Sequence, residues 1–195
     1  MTRVIFDISM SLDGYMTASN VSAEEPLGDG GQRLHDWAFG EAEHNRELLA
    51  EAVDAVGAVI AGRRTYDLSV PLSVPWWGAD GPAGPARVPV FVVTHAGPEE
   101  VPEGGVYTFV TDGIEEALEL ARAAARDKDV AVMGGLISGS STSGLVDEIS
   151  IHLVPVLFGS GTRMFEYLGG EHIQLESAGV IETLEAMHLR FRLVE

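Results

Sequence analysis

Three short stretches of the 195-residue chain carry residues suited to holding a phosphate. Gly62-Arg63-Arg64-Thr65 closes an apolar run from Val56 to Ala61 and leads into a short helical stretch containing Tyr66. Free backbone N–H groups, partial positive charge and two forked guanidinium groups at such a junction suit a bound phosphate. The same residues also read as a solvated turn capped by Thr65. Thr94-His95 ends a second run, Val88 to Val93, and Gly134-Gly135 ends a third, Val130 to Met133. Paired glycines let backbone approach a pyrophosphate, while Thr94 and His95 suit a ribose or its phosphate. Open α/β sheets place ligands beyond the carboxyl ends of parallel strands, so three such endings make a dinucleotide site the leading expectation.

Other chemistries fit the residues poorly. The chain has no G-x-S-x-G elbow, no P-loop, no H-E-x-x-H and no G-x-G-x-x-G after a strand. Its histidines, at positions 35, 44, 95, 152, 172 and 188, are scattered with no pair at helical spacing, and no metal site is expected. Ser138 to Ser143 reads as a flexible polar turn. Cysteine is absent, which excludes disulfides and thiolate catalysis. Lys128, the only lysine, is the one Schiff-base candidate, and it sits in a charged helix end.

Charge narrows the partners. Twelve Lys and Arg against 30 Asp and Glu leave a formal charge of −18, which argues against nucleic acid or an anionic membrane, since both need a basic face. An anionic ligand must therefore find a local positive site. With 46% hydrophobic and 22% charged residues the composition is that of a globular protein, and 23 glycines with nine prolines imply many turns. No apolar run approaches the roughly 20 residues needed to cross a bilayer. Arg3 to Met10 lacks a long apolar h-region, so a cytoplasmic location is expected.

The elements that must position these residues follow from periodicity. Val4, Phe6, Ile8 and Met10 alternate with Arg3, Asp7 and Ser9, which predicts a strand closed by the turn Ser11 to Tyr15. Thr17 to Gly40 is polar and aperiodic, a length usual for functional or mobile loops. A helix is predicted from about Glu41 to Val53, burying Leu48, Leu49, Ala52 and Val53. The runs Val56 to Ala61, Val88 to Val93 and Val130 to Met133 read as strands covered on both faces. Between the last two lies a helix with Asp112 as cap and Glu115 at N3, and a buried stripe of Ile114, Leu118, Ala121 and Ala125. Ile149 to Phe158, His172 to Ala178 and Leu184 to Val194 alternate like long, mostly antiparallel strands. No repeat or composition break divides the chain. Pro71 to Pro89, with Trp76 and Trp77, reads as a surface loop, and residues 1–195 are expected to form one domain.

The ordered set Ser9-Met10-Ser11-Leu12-Asp13-Gly14-Tyr15, Gly62-Arg63-Arg64-Thr65-Tyr66, Thr94-His95, Val132-Met133-Gly134-Gly135, Gly144 to Ile149 and Pro155-Val156-Leu157-Phe158-Gly159-Ser160-Gly161 resembles the dihydrofolate reductase-like proteins related to the carboxyl-terminal reductase domain of bacterial riboflavin biosynthesis. The resemblance covers nearly the whole chain and is specific to the superfamily, with no specificity for one substrate. It implies an α/β three-layer fold with a mixed, mainly parallel sheet of about eight strands and antiparallel carboxyl-terminal strands. It also implies NADPH as hydride donor and reduction of a C=N or C=O group in a pterin-like or pyrimidine-like heterocycle.

Carried over residue by residue, Gly62, Arg63, Arg64 and Thr65 would hold phosphate, with Arg63 nearest the adenosine side. Thr94 and His95 would lie near the 2′-phosphoribose, and Gly134 and Gly135 would face the pyrophosphate. Ala18 and the Asp13-Gly14 turn would border the nicotinamide. Asp36 lies where the folate enzymes carry their substrate carboxylate, beside Trp37 and Phe39, which suit stacking on a planar ring; Leu157 completes the substrate set. Asp36 and Asp13 are the candidate catalytic carboxylates, each with a plain alternative as a helix cap or a strand-ending turn.

Two departures stand out. Leu136 to Ser143 reads Leu-Ile-Ser-Gly-Ser-Ser-Thr-Ser where the family continues into a helix, so either cofactor affinity falls or serine hydroxyls replace the helix donors. His95 stands where folate enzymes often use arginine, and a histidine binds phosphate when protonated. Alternatives to the reductase are a non-catalytic, ligand-binding relative and a flavin- or deazaflavin-using accessory enzyme of secondary metabolism. A homodimer through the carboxyl-terminal strands is expected.

Overall fold

The computed structural model describes residues 2–69, 81–84, 87–98, 105–135, 144–166 and 172–194. In chain order the strands are β1 (Val4–Ser11), β2 (Tyr15–Thr17), β3 (Val56–Gly62), β4 (Val90–Val93), β5 (Tyr107–Val110), β6 (Asp129–Met133), β7 (Glu148–Val154), β8 (Thr162–Arg163), β9 (Leu175–Glu182) and β10 (Met187–Leu193). The helices are α1 (Asp36–Phe39), α2 (Glu43–Ala55), α3 (Arg63–Ser69) and α4 (Ile114–Ala125), with 3₁₀ turns at Gly31–His35 and Gly81–Ala83. Two compact units are distinguished, one of residues 1–4 and 52–136 and the other of 5–51 and 137–195. Each draws on two stretches of chain, so no single linker separates them.

The first unit carries the parallel order β5-β4-β3-β6. β3, β4 and β6 are the predicted β-branched runs, and Ala58 to Ala61, Val90, Val92 and Val130 are buried, as strands covered on both faces require. β5 escaped prediction because only four residues form it and Thr108 points outward. α4 buries Ala117, Leu118, Ala121 and Ala125. Gly57 lets this layer close, because a β-carbon there would meet the Ala125 backbone and the Lys128 side chain. The predicted Asp112 cap is replaced by Gly113 at φ 104° with no side-chain capping bond. Glycine reaches that angle freely, and Asp112 is left one residue outside the helix.

The second unit carries β1-β7-β10-β9, with β7 parallel to β1 and antiparallel to β10, and a small β2-β8 ribbon. Eight strands, four in each unit, thus make the mixed, mainly parallel set with antiparallel carboxyl-terminal strands that the sequence predicts. The aperiodic stretch from Thr17 to Gly40 is only partly a loop: Asn20 Nδ2 donates to Asp29 at 2.7 Å, and the chain then winds into the 3₁₀ turn and α1. α2 is unlike its prediction. Asn45 is its one fully buried side chain, Leu48, Leu49 and Val53 are half-buried, and Ala52 is exposed. None of the described helices is long and apolar enough to cross a membrane.

Candidate functional site

Parallel register brings the predicted phosphate residues to one edge of the first unit. Gly62 pairs with Val93 and Ala61 with Met133, so Arg63, Thr94 and Gly134 leave their strands side by side. Arg63 is already engaged: Nε donates to Asp67 at 2.8 Å and Nη1 to the Ala96 carbonyl at 2.9 Å. It is a strut between the start of α3 and the loop after β4. Thr94 tightens the same loop, its hydroxyl donating to the Ala96 carbonyl at 2.8 Å and accepting the Ala96 N–H at 3.3 Å. Arg64 and His95 are exposed on the two flanking segments, and Gly135 is exposed after β6.

Gly134 has φ +80°, and a β-carbon there would run into the Thr65 hydroxyl. Bare backbone therefore lies against Thr65 Oγ1, while Ser69 donates its hydroxyl to the Thr65 carbonyl and fixes the turn of α3. A backbone cradle beside a hydroxyl, flanked by an exposed guanidinium and an imidazole, fits an anionic phosphate. The Leu136 to Ser143 departure and Trp76 with Trp77 lie outside the described residues.

In the second unit Asp13 is fully engaged in holding a turn. One carboxylate oxygen accepts the Ser11 hydroxyl at 2.7 Å and the Phe158 N–H at 3.1 Å, and the other accepts the Gly159 N–H at 2.7 Å. The Ser11 hydroxyl is the main reason its carboxyl is lowered to about 2; partial desolvation opposes this, and the Gly159 and Phe158 amides add to it. Ser11 is buried and its oxygen also accepts the Tyr15 N–H at 2.9 Å. The carboxylate thus fastens the turn after β1 to the loop after β7. Ala18 is buried, with its N–H on the Leu27 carbonyl at 2.7 Å. Gly161, at φ +144°, lets the β7–β8 connection pass directly against the Thr17 carbonyl.

The substrate-side residues separate by exposure. Asp36 is the exposed first residue of α1, whose cap position is His35, and it is itself the C-cap residue of the preceding 3₁₀ turn, its N–H donating to the Arg33 carbonyl. Phe39 and Leu157 are 54% and 69% exposed, an unusual state for large apolar side chains. Trp37 is buried, donating Nε1–H to Ser9 Oγ at 3.0 Å, with its ring centroid 4.1 Å from that of His152.

Beneath Trp37 lies a polar chain that sequence reasoning missed. Register places Ser9, His152 and His188 in one row across β1, β7 and β10, and Asp7, Ser150 and Arg190 in the next. His152 Nε2 faces both Asp7 oxygens at 3.3 Å, and its Nδ1 is 2.7 Å from His188 Nδ1. His188 Nε2 reaches Asn45 Oδ1 at 3.3 Å, and Asn45 Nδ2 reaches Glu185 at 3.0 Å. Burial first, and the neighbouring His152 second, push His188 down to about 4. His35 is also pushed down to about 4, by burial first and His152 second, and its Nδ1 is buried without a partner. Asp7 is raised by burial, but the charge and hydrogen bond of His152, the Ser150 hydroxyl and Arg190 outweigh this and hold it below the ordinary carboxylate range. The available signal was polar residues at strand positions paired across the sheet, visible only once register is known. Among the described residues no three His, Cys, Asp or Glu side chains converge as metal ligands.

The RibD C-terminal domain model matches residues 2–189. No curated protein matches significantly. Among solved structures, a Shewanella sp. PV-4 protein assigned to riboflavin biosynthesis is similar at 20% identity and TM-score 0.70, with all of both chains covered. A Thermotoga maritima protein described as a diaminohydroxyphosphoribosylaminopyrimidine deaminase/5-amino-6-(5-phosphoribosylamino)uracil reductase is similar at 14% identity and TM-score 0.62, over 99% of this chain and 57% of that one. Dihydrofolate reductase from Enterococcus faecalis, complexed with NADP(H), is similar at 11% identity and TM-score 0.56, over 99% of this chain and 97% of that one. At these identities the likeness is one of fold.

Proposed function

The chain belongs to the RibD C-terminal domain family, and from that membership we propose that it is an NADPH-dependent reductase acting on a C=N or C=O group of a small pyrimidine-like or pterin-like heterocycle. The observation that carries the cofactor part is the juxtaposition of Gly134 and Thr65 at the carboxyl edge of β3 and β6. A β-carbon at Gly134 would strike the Thr65 hydroxyl, so only glycine brings its backbone this close, and bare backbone beside a hydroxyl and cationic side chains suits a phosphate. NADPH, when bound, supplies the hydride. The protein's part is to hold the dinucleotide through Gly62 to Thr65, Thr94-His95 and Gly134-Gly135. From the family resemblance, Ala18 and the Asp13-fastened turn are the residues expected to border the nicotinamide, and Asp36, Trp37, Phe39 and Leu157 those expected to shape the acceptor site. Of these, the exposed Phe39 and Leu157 are suited to cover an aromatic acceptor, whereas Trp37 is buried against Ser9 and His152.

The test is direct. NADPH should raise the unfolding temperature of the purified protein, and its absorbance at 340 nm should fall when 5-amino-6-(5-phosphoribosylamino)uracil or dihydrofolate is added. Absence of both effects would refute the reductase reading. A flavin or deazaflavin spectrum in the protein as purified would refute NADPH as the resident donor.

A further inference from the structure

α1 and α2 each bury a single side chain, and both rest it on the same two rings. Trp37, the buried residue of α1, has its ring centroid 4.1 Å from that of His152 and 4.9 Å from that of His188. Asn45, the buried residue of α2, places Oδ1 3.3 Å from His188 Nε2. The two histidines stand opposite one another on β7 and β10, strands that are themselves joined by backbone pairing. The hold on both helices therefore depends on the ring pair, while the sheet beneath does not. The hydrogens of this chain can be counted without choosing a charged ring. The Glu185 carboxylate only accepts, so Asn45 gives it an Nδ2 hydrogen and turns Oδ1 to His188, whose Nε2 must carry a hydrogen. The two Nδ1 atoms at 2.7 Å need one hydrogen between them, and His152 Nε2 against the Asp7 oxygens needs another. Three contacts hold three hydrogens, and each contact is filled. A fourth, added to either ring, sets two donors head to head.

We propose that the His152–His188 pair is an acid-sensitive latch: with one hydrogen between the rings it holds Trp37 and Asn45, and a further proton parts the rings and frees the start of α2, and α1 with it, while β7 and β10 stay paired. Both rings are largely buried, so added charge reaches water only when they separate. The surroundings offer it no new partner. Asp7 on β1 is already engaged by His152 and the Ser150 hydroxyl of β7, and Glu185, before β10, by Asn45. Arg190 on β10, His44 on α2 and His35 before α1 bring only further positive or titratable groups. Burial first, then His152 and His44, hold His188 at about 4 against an ordinary 6.5, with Asp7 opposing and Arg190 adding to the effect. Between those values the parted form binds more protons than the latched one, so opening is favoured as pH falls from 6.5 toward 4 and the latch is closed above that range. Neither cofactor nor acceptor enters this argument, and the latch stands apart from the reductase reading.

NMR and hydrogen exchange of the ligand-free protein test this. At pH 7 a scalar coupling across the shared hydrogen should link the two Nδ1 nitrogens, and it should vanish by pH 5; its absence at pH 7 overturns the proposal. Over the same range the protection of the α2 amides from exchange, corrected for the intrinsic effect of pH, should fall by about tenfold or more. The Trp37 indole N–H should lose protection with them, while the amides of β7 and β10 keep theirs. Unchanged α2 protection, or an equal loss in β7 and β10, overturns the latch. His188→Gln removes the second titrating ring and keeps an amide to meet His152, so its α2 protection should differ by less than about twofold between pH 7 and pH 5. Asn45→Ala should expose the α2 amides already at pH 7. His35→Gln should leave the α2 response in place. A His188→Gln protein that still opens with acid, or a His35→Gln protein that no longer does, puts the trigger elsewhere and overturns the proposal.

Discussion

His152 and His188 meet through like atoms: their Nδ1 nitrogens are 2.7 Å apart, which requires one hydrogen between them. A second proton would set two N–H groups head to head. Acid must therefore work against this contact. His188 and His35 are both held near 4 in the fold against 6.5 for an ordinary histidine. Between those values the unfolded chain binds more protons, so stability is complete above 6.5 and lost as pH falls toward 4. Denaturation midpoints at pH 7.5, 6.5, 5.5 and 4.5 should fall steadily below 6.5, and the decline should be shallower in His35→Gln. A flat profile would show that neither histidine is kept neutral.

Gly134→Ala should be costly on two grounds, the positive φ and the collision with Thr65. A loss of about 1–3 kcal/mol in urea unfolding is expected, together with weakened NADPH binding. Adding Thr65→Ala should recover the steric share of that loss and leave the backbone share. Full recovery in the double variant would mean that the φ angle carries no strain.

Arg63 and Arg64 change the net charge equally but differ in employment. Arg63 serves Asp67 and Ala96; Arg64 is exposed. Arg64→Ala should raise the dissociation constant for NADPH about tenfold, ~1.4 kcal/mol, with no change in unfolding temperature. Arg63→Ala should weaken binding and also lower stability, the exposed ion pair itself contributing about 0.2–1 kcal/mol. Calorimetric titration would show the contrast, with Arg122→Ala as a charge-matched control within about twofold of wild type.

Among the described residues β9 pairs only with β10, and Val180, Leu184 and Met187 nearby are 61%, 92% and 41% exposed. Such an edge suits pairing with a second copy. Sedimentation at about ten micromolar should give a dimer, and Val180→Lys with Leu184→Lys should give a folded monomer. A monomeric wild type would end the homodimer reading.

The apolar runs of β3, β4 and β6 announced themselves because burial on both faces leaves little choice of residue, and parallel register then brings the residues that end them to one edge. The polar chain across β1, β7 and β10 was less legible. Asp7, His152 and His188 are 145 and 36 residues apart in their successive contacts, and nothing in local periodicity joins them. Only the pairing of β1 with β7 and of β7 with β10 makes them neighbours. Asn45 gave no signal, since a polar residue on a helix normally faces water, yet here it is the one wholly buried side chain of α2. Arg63 was recognisable as a cation at the right strand end, but its commitment to Asp67 and Ala96 depends on how α3 and the β4 loop fold.

Gly28 and Gly161 press on the Thr17-Ala18-Ser19 backbone, each at positive φ and each with no space for a β-carbon. That segment is consequently closed to gradual change: nearly any substitution at either glycine displaces the turn before it can improve anything. A descendant of this scaffold that turns to a new acceptor must vary elsewhere. Phe39 and Leu157, which stand free of the packed interior, can be exchanged at little structural cost, so if the proposed acceptor site is theirs, change in substrate choice is steered toward those two side chains.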